Sequence, residues 1–193
     1  MMLPRGVAIA AALLAATVAS GCGGGGDRQD VNEKDASYPV QVTRAKFPRL
    51  QGLGETASFS VAVRNPGTDT IPNVAMTVDG FNNPDAVPGA ADPQRPIWVI
   101  NAGPIGGRTA YVNTWALGEL KPKQIRRFTW SVTSTVPGTH TLSYRVAGGL
   151  NGNARAVRKG GGVPEGAITV RVTRRPRTST VDPNTGAVVY GAE

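Results

Sequence analysis

The chain has 193 residues, with 21 Lys and Arg against 13 Asp and Glu, a net charge of +8, one His and one Cys. One Cys excludes an internal disulfide and a Cys-based zinc site, and one His leaves no material for a multi-histidine metal centre. Glycine and proline fill 25 and 15 positions, below the share expected of a low-complexity chain, and 40% apolar residues suffice for one modest core.

Residues 1–5 carry one positive charge, Arg5, and residues 7–19 read VAIAAALLAATVA. That run falls short of the roughly 20 apolar residues a membrane helix needs. A charge, a short apolar stretch and then small residues have the layout of a secretory signal peptide over residues 1–21. The end of the run, Ala19-Ser20-Gly21-Cys22, resembles the lipobox of bacterial lipoproteins, with Ala19 standing where that family usually has Leu. The resemblance implies cleavage before Cys22 and lipidation of its thiol. An ordinary signal peptide with a buried leftover Cys is the alternative, but a thiol ahead of a glycine run is poorly placed for burial. Each buried CH₂ contributes about 0.8 kcal/mol, so several acyl chains on one Cys would anchor the protein without a hydrophobic helix. Residues 22–37 then read as a flexible tether: four glycines followed by a polar stretch too poor in apolar side chains to order itself. A tether of this length spans roughly 20–25 Å.

From Tyr38 the apolar period is two. Phe59, Val61 and Val63 alternate with Ser58, Ser60, Ala62 and Arg64, and the same pattern recurs at 74–78, 128–132, 142–146 and 168–172. Apolar-in, polar-out alternation over five to seven residues predicts half-buried antiparallel strands. Further strands are expected at 40–47, 97–101 and 109–117. Asn65-Pro66-Gly67 and Pro137-Gly138 supply turns between runs. The fold class read from this pattern is all-β, an antiparallel β-sandwich of about seven or eight strands over residues 38–173. Residues 174–193 form a basic tail in which 187–190 either add an edge strand or fray.

The stretch SFSVAVRNPGTDTIPNVAMTVD, residues 58–79, is similar to the core of bacterial immunoglobulin-like domains of the CARDB type, cell-adhesion-related domains in bacteria. Leu117-Gly118-Glu119-Leu120-Lys121-Pro122, followed by RFTWSV and Pro137-Gly138-Thr139-His140-Thr141-Leu142, is similar to their second half. The resemblance implies an immunoglobulin-like sandwich with an adhesion or scaffold role and no catalytic residues. Two loops, 80–96 and 148–165, are longer than the resemblance leads one to expect.

In a sandwich of this order the loops at 65–70 and 148–165 share one end and the loop at 80–96 lies at the other. Loops held on a rigid frame are where binding residues concentrate. The loop GGLNGNARAVRKGGGVPE carries Arg155, Arg158 and Lys159 among glycines. These three are the candidate partner-binding residues for an anionic wall polymer, an anionic lipid or an acidic protein face; a solvated loop or extra hairpin is the bland reading. Trp130 lies in the inward register and is assigned to the core. Trp98 and Trp115, near strand ends, are candidates for a ligand or carbohydrate platform. His140, just after a turn, is read as a surface residue. Residues 79–85 resemble a calcium loop only superficially, because Phe81 and Pro84 stand where an oxygen ligand and Gly are needed. No metal site, cofactor or catalytic residue is assigned, and no enzyme activity is expected.

The functional expectation is an extracytoplasmic lipoprotein, tied to the cell membrane through Cys22, whose non-catalytic module binds an envelope protein or an anionic wall polymer. A small-ligand or carbohydrate-binding lipoprotein is the alternative, with a hydrolase a distant third. Nucleic acid is not an expected partner of an exported chain without a stacking motif or recognition helix.

Overall fold

Residues that alternate apolar and polar become paired strands throughout the body. The structure, a computed structural model, describes residues 33–82, 95–176 and 178–190. The signal segment, Cys22, most of the tether and most of the 80–96 loop lie outside the described residues. In chain order the strands are β1 (Ala36–Pro39), β2 (Gln41–Lys46), β3 (Leu50–Gly52), β4 (Thr56–Arg64) and β5 (Ala75–Asp79). There follow β6 (Trp98–Ala102), β7 (Arg108–Tyr111), β8 (Thr114–Ala116), β9 (Ile125–Ser134) and β10 (Gly138–Ala147). The last four are β11 (Ala154–Val157), β12 (Glu165–Thr173), β13 (Ser179–Val181) and β14 (Val188–Tyr190).

Two sheets face each other, ordered β2-β4-β9-β6 and β3-β12-β10-β5-β8-β7. The inward residues of both meet in one core. Phe59 of the first sheet stacks on Trp130 with ring centroids 5.1 Å apart, and Trp115 of the second meets Trp130 edge-on at 5.3 Å. Phe59, Phe128 and Trp130 are fully buried, as expected for Trp130. Such aromatic contacts add roughly 0.5–1.5 kcal/mol each beyond area burial.

Four details differ from the sequence reading. First, the strands are more numerous: short ones of three to six residues stand among four of nine or ten, β4, β9, β10 and β12. Second, two pairings are parallel: β3 with β12, and β1 with β11. A three- or four-residue strand carries too little alternation to be seen, and its parallel partner lies over a hundred residues away. Third, the expected strand at 109–117 is a hairpin, β7-β8, turned at Val112-Asn113, with Asn113 at φ 59°. Asn tolerates this left-handed conformation better than other non-glycine residues. Fourth, residues 188–190 pair with β13 as a separate hairpin and not with a sandwich edge. The Asp182 carboxylate accepts from Asn184 N at 2.8 Å in that turn, which holds its pKa below the ordinary value.

Candidate functional site

The loop end is built on three buried or tightly capped turns. Asn65 closes β4 and is fully buried. Its Oδ1 accepts from Gly67 N at 2.9 Å, and its Nδ2 donates to Asp69 O at 2.7 Å and Leu120 O at 2.9 Å. One side chain thus ties the 65–70 turn to the segment before β9. The Asn-Pro-Gly turn signal located this residue, though not its reach across the end of the sandwich.

Residues 148–165 meet the same end, as expected. The central part is neither an open loop nor an independent hairpin, because β11 pairs with β1. Ala154 and Ala156 face inward and are buried, which leaves Arg155 outward. Its guanidinium pairs with Asp35 at 2.7 Å, both side chains more than half exposed. The Glu33 carboxylate accepts from Asn151 N at 2.8 Å and also from Ala154 N. The chain leaving the tether is therefore clamped to the loop before it enters β2. Past β11, Arg158 Nε donates to Gly161 O at 2.9 Å, and Gly160, Gly161 and Gly162 all have positive φ of 81–93°. Only glycine adopts three such residues in a row without strain. This turn presents Lys159 to solvent.

A groove of about 680 Å³ opens between this turn and the start of β2. Pro39, Val42, Pro66 and Pro164 supply apolar walls, and Arg158, Lys159 and Glu165 supply the charged lining. Glu165 is engaged with Arg145 at 3.9 Å. Arg158 and Lys159 have no acidic partner among the described residues. The structure therefore brings Arg158 and Lys159 together on the groove, while Arg155 points elsewhere with its charge matched.

The two candidate platform tryptophans are core residues, which corrects that expectation. Trp98 is 1% exposed; its indole donates to Gln51 Oε1 at 2.9 Å, and its ring meets His140 edge-on at 5.7 Å. Trp115 is 7% exposed because its ring packs edge-on against Phe81 and against Trp130 of the facing sheet. Neither presents a ring face to a ligand. His140 is half-buried, its Nε2 hydrogen-bonded to Val136 O at 3.0 Å. Burial raises the Tyr144 hydroxyl above its usual 10.0.

Three buried polar residues at the opposite end had no signal in the sequence. Gln51 joins Trp98 to Pro48 O, the Glu55 carboxylate accepts from Gly52 N at 2.8 Å, and Ser134 donates to Gly52 O at 2.6 Å. They satisfy backbone groups where the sheets converge, a structural task. Among the described residues no group of three His, Cys, Asp or Glu side chains stands together.

No family model matches the chain, and neither does any curated protein. Solved structures similar to it include the CARDB domain of the PF1109 protein from Pyrococcus furiosus in complex with di-metal ions, at 20% identity. That likeness covers 70% of this chain and 90% of the other, with a TM-score of 0.42. A solution structure of the same CARDB domain gives 20% identity, 72% and 98% coverage and a TM-score of 0.45. A cohesin module from a Clostridium perfringens family 33 glycoside hydrolase gives 9% identity, 72% and 98% coverage and a TM-score of 0.44. CARDB domains, expected from residues 58–79 and 117–142, are thus among the structures the chain is similar to, at the level of fold.

Proposed function

We propose that the chain is an exported, lipid-anchored and non-catalytic β-sandwich module that binds an anionic component of the cell envelope at its loop end. The observation that carries the reading is the groove beside the Lys159 turn, where two cations without an acidic partner among the described residues stand beside apolar proline and valine walls. An apolar trough beside a basic rim suits an extended polymer or peptide that bears negative charge. A lipid on Cys22 confines the module to a surface and raises the effective concentration of any partner held there. The pairing of β1 with β11 makes the chain entering the body part of the loop end, so the groove lies on the side of the module that the tether reaches.

The carbohydrate-platform reading loses its support with the burial of Trp98 and Trp115, since neither lines the groove. Two experiments test the proposal. Crosslinking in intact cells compares the parent with a variant carrying Arg158→Ser and Lys159→Ser; an unchanged set of crosslinked partners removes the groove from the argument. Fractionation of Cys22→Ser tests the anchor, which is wrong if the variant still sediments with membranes.

A further inference from the structure

The four strands of the β2-β4-β9-β6 sheet read QVTRAK, TASFSVAVR, IRRFTWSVTS and WVINA. They hold Arg44, Lys46, Arg64, Arg126 and Arg127 and not one acidic residue. Protein surfaces ordinarily intersperse both signs. The loop end does not account for this asymmetry, because none of the five cations lines its groove.

Pairing register gathers three of them. Phe59, Val61 and Val63 face the core, so Ser58, Ser60 and Ala62 face outward. Ala62 is flanked by Arg44 on one side and Arg127 on the other, and Ser60 by Lys46 and Thr129. Facing residues on neighbouring strands stand about 5 Å apart. The two arginines therefore straddle the small Ala62 at about 10 Å, near enough for their forks to converge.

A β-bulge makes this arrangement. The β2-β4 register shifts between Val42 and Arg44, with Thr43 as the extra residue and its Oγ1 bonded to Ala62 O at 3.3 Å. Without the extra residue Arg44 would face Val61, on the core side. Bulges recur where a side chain must be re-aimed. Arg44, Lys46, Ser58, Ser60 and Arg127, together with Pro48, line an open cleft of about 360 Å³. Its polar groups are all donors or hydroxyls. None of the three cations has an ion pair among the described residues.

We propose that this cleft binds a phosphate group, monoester or diester, with Arg44 and Arg127 as fork donors, Lys46 as a point charge and the Ser58 and Ser60 hydroxyls completing the shell. A guanidinium fork matches phosphate geometry. A phosphomonoester offers three terminal oxygens to these donors, and a diester two, with its ester oxygens as weaker acceptors. The site stands independently of the loop-end groove, with which it shares no residue.

The test uses the full chain carrying Cys22→Ser, so that no anchor contributes. One arm measures binding of soluble poly(glycerol phosphate) by calorimetry, with inorganic phosphate as competitor. The other measures cosedimentation with vesicles with and without phosphatidylglycerol. Arg44→Gln and Arg127→Gln each weaken binding about tenfold or more, the scale of a lost charged hydrogen bond. Arg44→Lys, which keeps the charge and loses the fork, also weakens it. Arg174→Gln/Arg175→Gln removes twice the charge of either single variant, from the tail, and leaves binding within about twofold, as does Arg158→Ser/Lys159→Ser. Binding in the polymer arm alone identifies a phosphodiester polymer, and binding in the vesicle arm alone identifies a lipid headgroup; either supports the site. No binding in both arms overturns the proposal, as does parental affinity in Arg44→Gln and Arg127→Gln, or an equal loss in the tail variant.

Discussion

Replacing Asn65 with Ala removes three hydrogen bonds from a fully buried position and is expected to destabilise the domain by about 2–3 kcal/mol. The estimate follows the fate of each partner. Asp69 is exposed and Gly67 half-exposed, so the Asp69 carbonyl and Gly67 amide can turn to water. Leu120 O is buried but still accepts from Ile71 N at 3.0 Å, so it is not orphaned. The loss is therefore near the net worth of three hydrogen bonds, about 1 kcal/mol each, and not three full desolvation penalties. Asn65→Asp is expected to be at least as damaging at neutral pH. It keeps the acceptor for Gly67 N but aims a carboxylate at two carbonyl oxygens that Nδ2 now satisfies. Denaturant unfolding followed by tryptophan fluorescence reads the difference, and each kcal/mol lowers the melting temperature by about 2–4 °C in a domain of this size. A loss below about 1 kcal/mol for Asn65→Ala, or an Asp variant more stable than the Ala variant, refutes the account of Asn65 as the tie across the loop end.

Three further outcomes follow from the same geometry. Trp98→Phe leaves Gln51 Oε1 buried without its donor and costs about 1–3 kcal/mol beyond lost packing, part of which Gln51→Leu restores; a double-mutant cycle in urea measures the coupling. Gly80→Ala places a methyl 2.4 Å from Thr141 O at φ 103°, whereas Gly118→Ala meets nothing within 4 Å at φ 73°. Thermal melts should therefore show the first losing well over the roughly 1 kcal/mol of the second. Because burial raises the Tyr144 pKa, the folded state holds its proton more tightly than the unfolded one. This contribution is fully present below pH 10 and lost as pH climbs through the folded value, so Tyr144→Phe should show a shallower alkaline loss of stability.

Long strands buried on one face announce themselves. Phe128, Trp130 and Val132 in β9, and Leu142, Tyr144 and Val146 in β10, alternate over ten-residue strands, and all six side chains are buried. β1, β3 and β11 have three or four residues each, and what stabilises them is a distant partner, so no local pattern marks them. Burial at strand ends is similarly hidden. Trp98 starts an edge strand, and the approach of Phe47, Gln51 and His140 closes over it. Among the loop cations, the sequence placed Arg155, Arg158 and Lys159 together, yet alternation along β11 turns Arg155 toward Asp35 and away from the other two.

The same logic explains why the cations of the β2-β4-β9-β6 sheet, without an ion pair among the described residues, escaped notice along the chain. Arg44 and Arg127 are 83 positions apart, and neither sits in a basic run longer than two. Their proximity depends on three facts at once: the β2-β4 pairing, the β4-β9 pairing, and one extra residue at Thr43 that shifts the register. A side-chain period of two means that a one-residue slip exchanges the faces of everything after it. Here that slip sets Arg44 and Lys46 outside, beside Arg127, and leaves Ala45 opposite Val61. The cost of a bulge in lost ladder pairing falls on an edge strand, where it is least, and the outer face acquires a cleft of one sign of charge.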